Sequence, residues 1–280
     1  MQGFNPHASP SISLNAIWAS LWSNRQLIAR MARREVVGRY RGSVLGLAWS
    51  FFHPILMLVV YTFVFSEIFG LRWGGAKTAS EEVQYASNLF VGMIVFGVFS
   101  EVFNRAPGLI SSNINYVKKV IFPLEILAFV SLVAALFHAF VSIAVLMAVL
   151  GVVYSQLHWT VIFIPVVLFP LVILTLGVAW LFASLGVFSR DVGQMVGIAT
   201  SVLMFLSPVF YPVSSIPMKF RLFIMANPLT FIIEQAREVL ILGHLPDWSG
   251  LAIYLLCALA VAWIGYAWFQ STRKGFADVL

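Results

Sequence analysis

Residues 126–189 carry no Asp, Glu, Lys or Arg, and shorter runs free of formal charge cover 44–66, 83–100, 192–211 and 248–269. Crossing the ~30 Å apolar core of a bilayer takes about 20 mostly apolar helical residues. A formal charge at the helix centre costs at least ~2.5–3.5 kcal/mol there. The gaps between charges therefore locate membrane spans. The composition agrees: 61% hydrophobic and 10% charged, against roughly 25% charged in soluble domains, excludes an ordinary water-soluble fold.

The long uncharged stretch is too long for one crossing, and Gln156-Leu157-His158-Trp159 breaks it at a polar, interfacial point. Six transmembrane helices are predicted, over 44–66, 83–100, 127–153, 159–187, 192–211 and 248–269, in an all-α integral membrane protein. Lys and Arg set the orientation, because loops rich in them stay in the cytoplasm. With the N-terminus inside, Arg25, Arg30, Arg33, Arg34, Arg39, Arg41, Arg105, Lys118, Lys119, Arg190, Arg273 and Lys274 are cytoplasmic, which is twelve of the 17 basic residues. Arg72, Lys77, Lys219, Arg221 and Arg237 face outward, and six crossings return the C-terminus, 273–280, to the cytoplasm. The net charge of +6 is thus mostly a mark of orientation and lipid contact, with no need for nucleic acid. Cys257 is the single cysteine, so no intrachain disulfide is possible.

Three segments fall outside the spans. Residues 1–16 hold Pro6, Pro10 and several Ser and Asn without an apolar core, and read as a cytoplasmic tail rather than a signal peptide. In 17–43, Trp18, Trp22, Ala29, Ala32, Val36 and Tyr40 recur at helical spacing with arginines crowding the other side, as in an amphipathic helix lying at the interface. Between the fifth and sixth spans, 212–246 includes Pro212, Pro217, Pro228 and Pro246, which break helices into short pieces. Residues 222–226 and 231–242 are apolar enough to dip towards the bilayer without crossing, giving a re-entrant outer cap. The transmembrane domain as a whole spans 44–272.

Five blocks of sequence occur in a telling order. Arg33-Arg34-Glu35-Val36-Val37-Gly38-Arg39-Tyr40-Arg41 runs into Ser43-Val44-Leu45-Gly46-Leu47-Ala48-Trp49. Asn113-Ile114-Asn115-Tyr116-Val117-Lys118-Lys119-Val120-Ile121-Phe122-Pro123 follows the second span. Phe188-Ser189-Arg190-Asp191-Val192, Ser207-Pro208-Val209-Phe210-Tyr211-Pro212 and Asn227-Pro228-Leu229-Thr230, leading to Glu234 and Arg237, complete the set. Together they resemble the ABC-2-type permeases that export O-antigen, capsular polysaccharide and teichoic acid. The resemblance implies a homodimer in the inner membrane that binds two copies of a separate ATPase and passes a lipid-linked glycan between the two permease chains. ATP and Mg would belong to the partner, since this chain has no Gly-x-x-x-x-Gly-Lys-Ser/Thr loop to cradle phosphates.

Candidate roles follow, each beside a plainer alternative. Arg39 and Arg41, just before the first span, could receive the pyrophosphate of a polyprenyl-linked substrate, or could only anchor anionic lipid. Arg33, Arg34, Lys118, Lys119, Arg190 and Asp191 are candidates for coupling to the ATPase. Asp191, at the start of a helix, could equally accept from free backbone N–H groups and favour the dipole. The 25 Phe, 9 Trp and 8 Tyr supply candidate glycan-facing aromatics in Trp49, Phe52, Tyr61, Phe65, Phe205, Phe210 and Tyr211, for which lipid contact or helix packing is the alternative. Asn227, Pro228, Glu234 and Arg237 belong to the outer cap. His53 and His138 have no ligand partners at metal-binding spacing and read as polar residues between helices. Two other classes, a membrane-embedded transferase acting on lipid-linked sugars and an ion-coupled secondary transporter, require acidic, metal-binding or midplane charged residues that the spans do not display.

Overall fold

The computed structural model describes residues 14–64, 79–117, 122–154 and 157–280. Phe65, Arg72, Lys77, Lys118, Lys119 and residues 1–13 lie outside that set. The described residues form helices: α1 (Leu14–Ser23), α2 (Arg25–Arg39), α3 (Trp49–Tyr61), α4 (Ala79–Arg105), α5 (Ile114–Val117), α6 (Ile126–Tyr154), α7 (Ile164–Phe188), α8 (Asp191–Leu206), α9 (Met218–Ala226), α10 (Pro228–Arg237), α11 (Trp248–Thr272) and α12 (Phe276–Val279).

Five helical stretches are long and apolar enough to cross a membrane: Gly46–Val64, Tyr85–Gly108, Ile126–Val152, Trp159–Phe188 and Trp248–Val279. They coincide with the first, second, third, fourth and sixth expected spans. The fifth is shorter than expected. α8 has 16 residues and stops at Leu206, because Ser207 turns to an extended backbone ahead of Pro208, whose ring disfavours helical geometry in the preceding residue. Its Ser207 hydroxyl still bonds back to the Leu203 carbonyl at 2.7 Å.

α4 is the mast of the bundle, packed on α3, α6, α7, α8 and α10. In its most apolar stretch 78% is buried, against 17% for the stretch containing α3. α7 and α11 form the tightest pair, and their sequences show why. A Cβ placed on Gly177 would lie 2.5 Å from the Ala262 Cα, and one on Gly265 would lie 2.0 Å from the Gly177 carbonyl oxygen. Only glycine permits that approach, which in a bilayer replaces hydrophobic driving force with close van der Waals contact. Gly186 does the same where α7 meets Pro107, at 2.2 Å from its carbonyl oxygen.

The two ends of the bundle differ. One, the basic end, gathers α1, α2, the C-terminal ends of α4, α7 and α11 and the start of α6. Glu125 ties them together: it accepts from the Ser20 hydroxyl at 2.8 Å and from Arg273 at 3.0 Å, while its carbonyl takes the Trp180 indole N–H at 3.0 Å. Arg273 also donates to the Phe122 carbonyl at 2.8 Å. α2 therefore docks on protein through Ile28, Ala32 and Val36, with Ile28 and Ala32 against Ile126 and Val130 of α6. Of the expected apolar stripe, Ala32 and Val36 are buried against the protein, whereas Trp22 and Ala29 are exposed. Ile28 joins them through its contact with α6, whose position the local sequence does not encode.

The opposite, capped end is built from α9 and α10. Pro217 precedes α9 and Pro228 opens α10, the helix starts where proline is least costly. Asn227 caps α10, its side chain accepting from the Leu229 N–H at 3.0 Å and donating to the Ser207 hydroxyl at 2.9 Å. Asp247 likewise caps α11 through the Gly250 N–H at 3.0 Å.

Candidate functional site

At the basic end, α2 and α4 present the same pair of residue types at the same spacing. Glu35 and Arg39 lie four apart on α2, Glu101 and Arg105 four apart on α4, so each pair shares one helix face. The faces meet in crossed order: Arg39 pairs with Glu101, and Arg105 with Glu35. Arg105 also stands 3.8 Å from Glu101. Two cations and two carboxylates thus close a neutral lattice, half open to solvent on Arg39, whose side chain is 41% exposed. Arg41 is exposed, in the turn where Gly42, at φ 87°, redirects the chain towards the first span.

Behind Arg39 a cavity of about 270 Å³ opens between α3, α4 and α6, lined by Tyr40, Ser50, His53, Tyr61, Glu101 and His138 among others. Its wall mixes these hydrogen-bonding groups with apolar side chains such as Met57, Phe90 and Ile94. The Tyr40 hydroxyl lies 3.4 Å from His138 Nδ1, while His138 Nε2 is buried. Burial holds the Tyr40 phenol protonated beyond its usual range, Arg39 opposing and Glu101 reinforcing the shift.

The capped end holds a second polar centre. The Arg237 side chain is 3% exposed and donates to the Asn88 carbonyl at 3.0 Å, the Val209 carbonyl at 3.0 Å and Glu234 at 2.7 Å. Arg237, which the orientation count assigns to the outer side of the membrane, turns its side chain into the protein and clasps the turn after α8 to α4. Nearby, the Tyr85 hydroxyl donates to the Phe210 carbonyl at 2.7 Å. Desolvation lowers the guanidinium from its usual range and Glu234 counters it.

A family model described as ABC-2 type transporter matches residues 26–241, from α2 through the cap. The chain belongs to the ABC-2 type transporter family. Among curated proteins, this ABC-2 transporter chain is 28% identical to the O-antigen export system permease protein RfbA of Myxococcus xanthus, over 92% of this chain and 96% of that one. It is 24% identical to the polysialic acid transport protein KpsM of Escherichia coli, over 86% and 91%. The capsule polysaccharide export inner-membrane protein CtrC of Neisseria meningitidis serogroup B is 22% identical over 93% and 96%.

The other residues singled out in this ABC-2 chain are dispersed. Arg33 and Arg34 are exposed on α2, and Arg190 and Asp191 are exposed where α8 begins. Asp191 occupies the first turn, where the dipole favours it, but Arg190 holds the cap position and α8 has no side-chain cap hydrogen bond. The aromatics form two separate pairs, Trp49 with Phe52 at 6.4 Å and Phe205 with Phe210 at 6.1 Å between ring centroids. Trp49, Phe52 and Phe205 are exposed, Tyr61 turns into the cavity, and the Tyr211 hydroxyl bonds the Phe205 carbonyl at 2.8 Å. Among the described residues no group of three or more His, Cys, Asp or Glu could hold a metal ion. Sequence reasoning missed Glu101, Glu125 and Tyr85; the i,i+4 Glu–Arg spacing repeated on α2 and α4 is the one signal that could have drawn attention to Glu101.

Proposed function

We propose that this chain is the membrane permease subunit of an ATP-driven exporter of a lipid-linked polysaccharide, working as a homodimer with two separate ATPase subunits. The observation that carries the reading is the nearly end-to-end similarity to permeases named for O-antigen, polysialic acid and capsule export. Six crossings, with both termini in the cytoplasm of an inner-membrane protein, fit this reading. α8 begins at the basic end beside Phe188, and the turn after it reaches the capped end at Val209, which supports counting it as a crossing.

A homodimer has apolar surface on the first span and α8 to use. Val59 and Phe63 in the first span, and Met195, Ile198 and Phe205 on α8, are all more than half exposed. Two copies facing through these surfaces would enclose a path flanked by Trp49, Phe52 and Phe205. Aromatic faces pack on the C–H faces of sugar rings without one fixed hydrogen-bond pattern, which suits a sliding polymer. Arg39 and Arg41 receive the pyrophosphate of the carrier, bidentate bonds to phosphate being the particular capacity of arginine. Arg33, Arg34, Lys118, Lys119, Arg190 and Asp191 face the ATPase, which binds ATP and Mg. An ion-coupled transporter is less favoured, because the buried charges Glu125 and Arg237 are each tied to protein partners.

Deleting the gene in its native host tests the function: surface polysaccharide should disappear and lipid-linked polymer should accumulate inside, both restored by the wild-type copy. Unchanged surface polysaccharide refutes it. Arg39→Lys with Arg41→Lys tests the pyrophosphate role. Insertion should be normal while export and substrate-stimulated ATP hydrolysis fall; export at the wild-type rate removes that role from these two residues.

A further inference from the structure

We infer that Glu101 is an internal stand-in for the substrate's phosphate: it occupies Arg39 in the unloaded permease and moves to Arg105 when a lipid pyrophosphate arrives. The inference rests on the reading of Arg39 as the phosphate ligand and adds the group that controls its availability. Arg39 is not a free cation, since its guanidinium is already held by Glu101. An incoming anion must therefore displace a carboxylate, and that carboxylate needs somewhere to go. Arg105 offers the place, one helical turn along α4 and 3.8 Å from the same carboxylate oxygen. The lattice is neutral beforehand, so adding a pyrophosphate leaves Arg39 facing the new anion and Arg105 balancing two carboxylates, Glu35 and Glu101.

The surroundings favour exchange over a permanent lock. Glu101 is 22% and Arg39 41% exposed, a degree of hydration at which an ion pair contributes only ~0–1 kcal/mol and can be broken without large cost. Behind the pair lies the cavity with Tyr40, Ser50, His53 and His138 in its wall, offering hydrogen-bond partners to a headgroup that enters once Glu101 withdraws. A carboxylate in this position also discriminates. A neutral or weakly charged lipid cannot displace it, whereas a pyrophosphate brings enough charge to compete.

The test uses the permease–ATPase complex in nanodiscs and measures binding of a polyprenyl pyrophosphate, with dioleoyl phosphatidic acid as a second probe. Glu101→Gln should tighten pyrophosphate binding roughly three- to fivefold, the size expected from removing a partly hydrated competitor. In an Arg39→Gln background that gain should vanish. Arg105→Gln should weaken binding when Glu101 is present and have little effect in Glu101→Gln, because its part is to receive that carboxylate. A folding defect would lower both single variants and cannot imitate changes of opposite sign. If Arg39→Gln weakens binding but Glu101→Gln does not tighten it, or tightens it equally without Arg39, the stand-in role is overturned while Arg39 keeps its own. If Arg39→Gln changes nothing, both fall. A gain confined to the pyrophosphate assigns the exchange to the substrate carrier; an equal gain for phosphatidic acid overturns the discrimination and assigns the exchange to lipid phosphates in general.

Discussion

Replacing Arg237 with Met should loosen the capped end by an amount the structure allows to be worked out. Met fills much of the same volume but donates nothing, so the carbonyls of Asn88 and Val209, each 3.0 Å from the guanidinium, lose their donor. A hydrogen bond from a charged group contributes ~1.5–3 kcal/mol. Two such bonds put the loss at about 3–6 kcal/mol. The third partner adds little, because the Glu234 side chain is 37% exposed and a pair that open to water contributes only ~0–1 kcal/mol. Arg237→Lys should fall between, since an ammonium cannot reproduce the fork that reaches both carbonyls. Thermal denaturation in detergent should show Arg237→Met melting at least about 6 °C lower. In a Cys257→Ala background, a cysteine at Val209, fully buried in the wild type, should become reactive to maleimide only when Arg237 is also replaced. A melting change within about 2 °C together with an unreactive position 209 would show that the clasp contributes nothing.

Three further expectations can be checked independently. Gly265→Val should drive a methyl into the Gly177 carbonyl, 2.0 Å from where a Cβ would sit, and cut the yield of folded protein in size-exclusion profiles, whereas Gly97→Ala, with open space around it, should be neutral. An impermeant maleimide applied to intact cells carrying single cysteines in Cys257→Ala should label position 219 and spare position 118; labelling at 118 would invert the topology. Asp247 has its carboxyl held below the usual range by the Ser249 hydroxyl and the Gly250 N–H. Its stabilising effect is therefore complete above the unfolded value near ~3.9 and fades as pH falls through the lowered folded value, so the melting difference between wild type and Asp247→Asn should be constant at neutral pH and shrink in acid.

Much of the framework could be read from the chain because membrane spans are dictated by a local property, the absence of charge over a sufficient length. The polar break at Gln156-Leu157-His158-Trp159 divided the third and fourth crossings correctly, and Asn227-Pro228 marked a helix start whose capping bond is present. What escaped depends on residues far apart in sequence. Arg39 and Glu101 are 62 positions apart and Arg237 and Asn88 are 149 apart, so nothing local separates these arginines from Arg30 or Arg221. On α2 the expected stripe is met at Ala32 and Val36, which are buried, while the burial of Ile28 in place of Ala29 depends on α6. α8 ended early because Pro208 acted on Ser207, a signal present in the sequence but outweighed by the apolar run continuing to Tyr211.

The brevity of α8 has a consequence for assembly. Sixteen residues rise only about 24 Å, some 6 Å less than the hydrocarbon thickness of a typical bilayer. If α8 crosses as proposed, lipid beside it would thin to meet it, at a fraction of a kcal/mol for each ångström of mismatch. The cost falls on the outward face that carries Ile198, Val202 and Phe205, and it is relieved wherever protein replaces lipid there. A lone subunit would therefore carry a dimple in the surrounding membrane, and bringing two dimples together would erase the deformed lipid between them, drawing copies into contact without any specific attraction between their side chains.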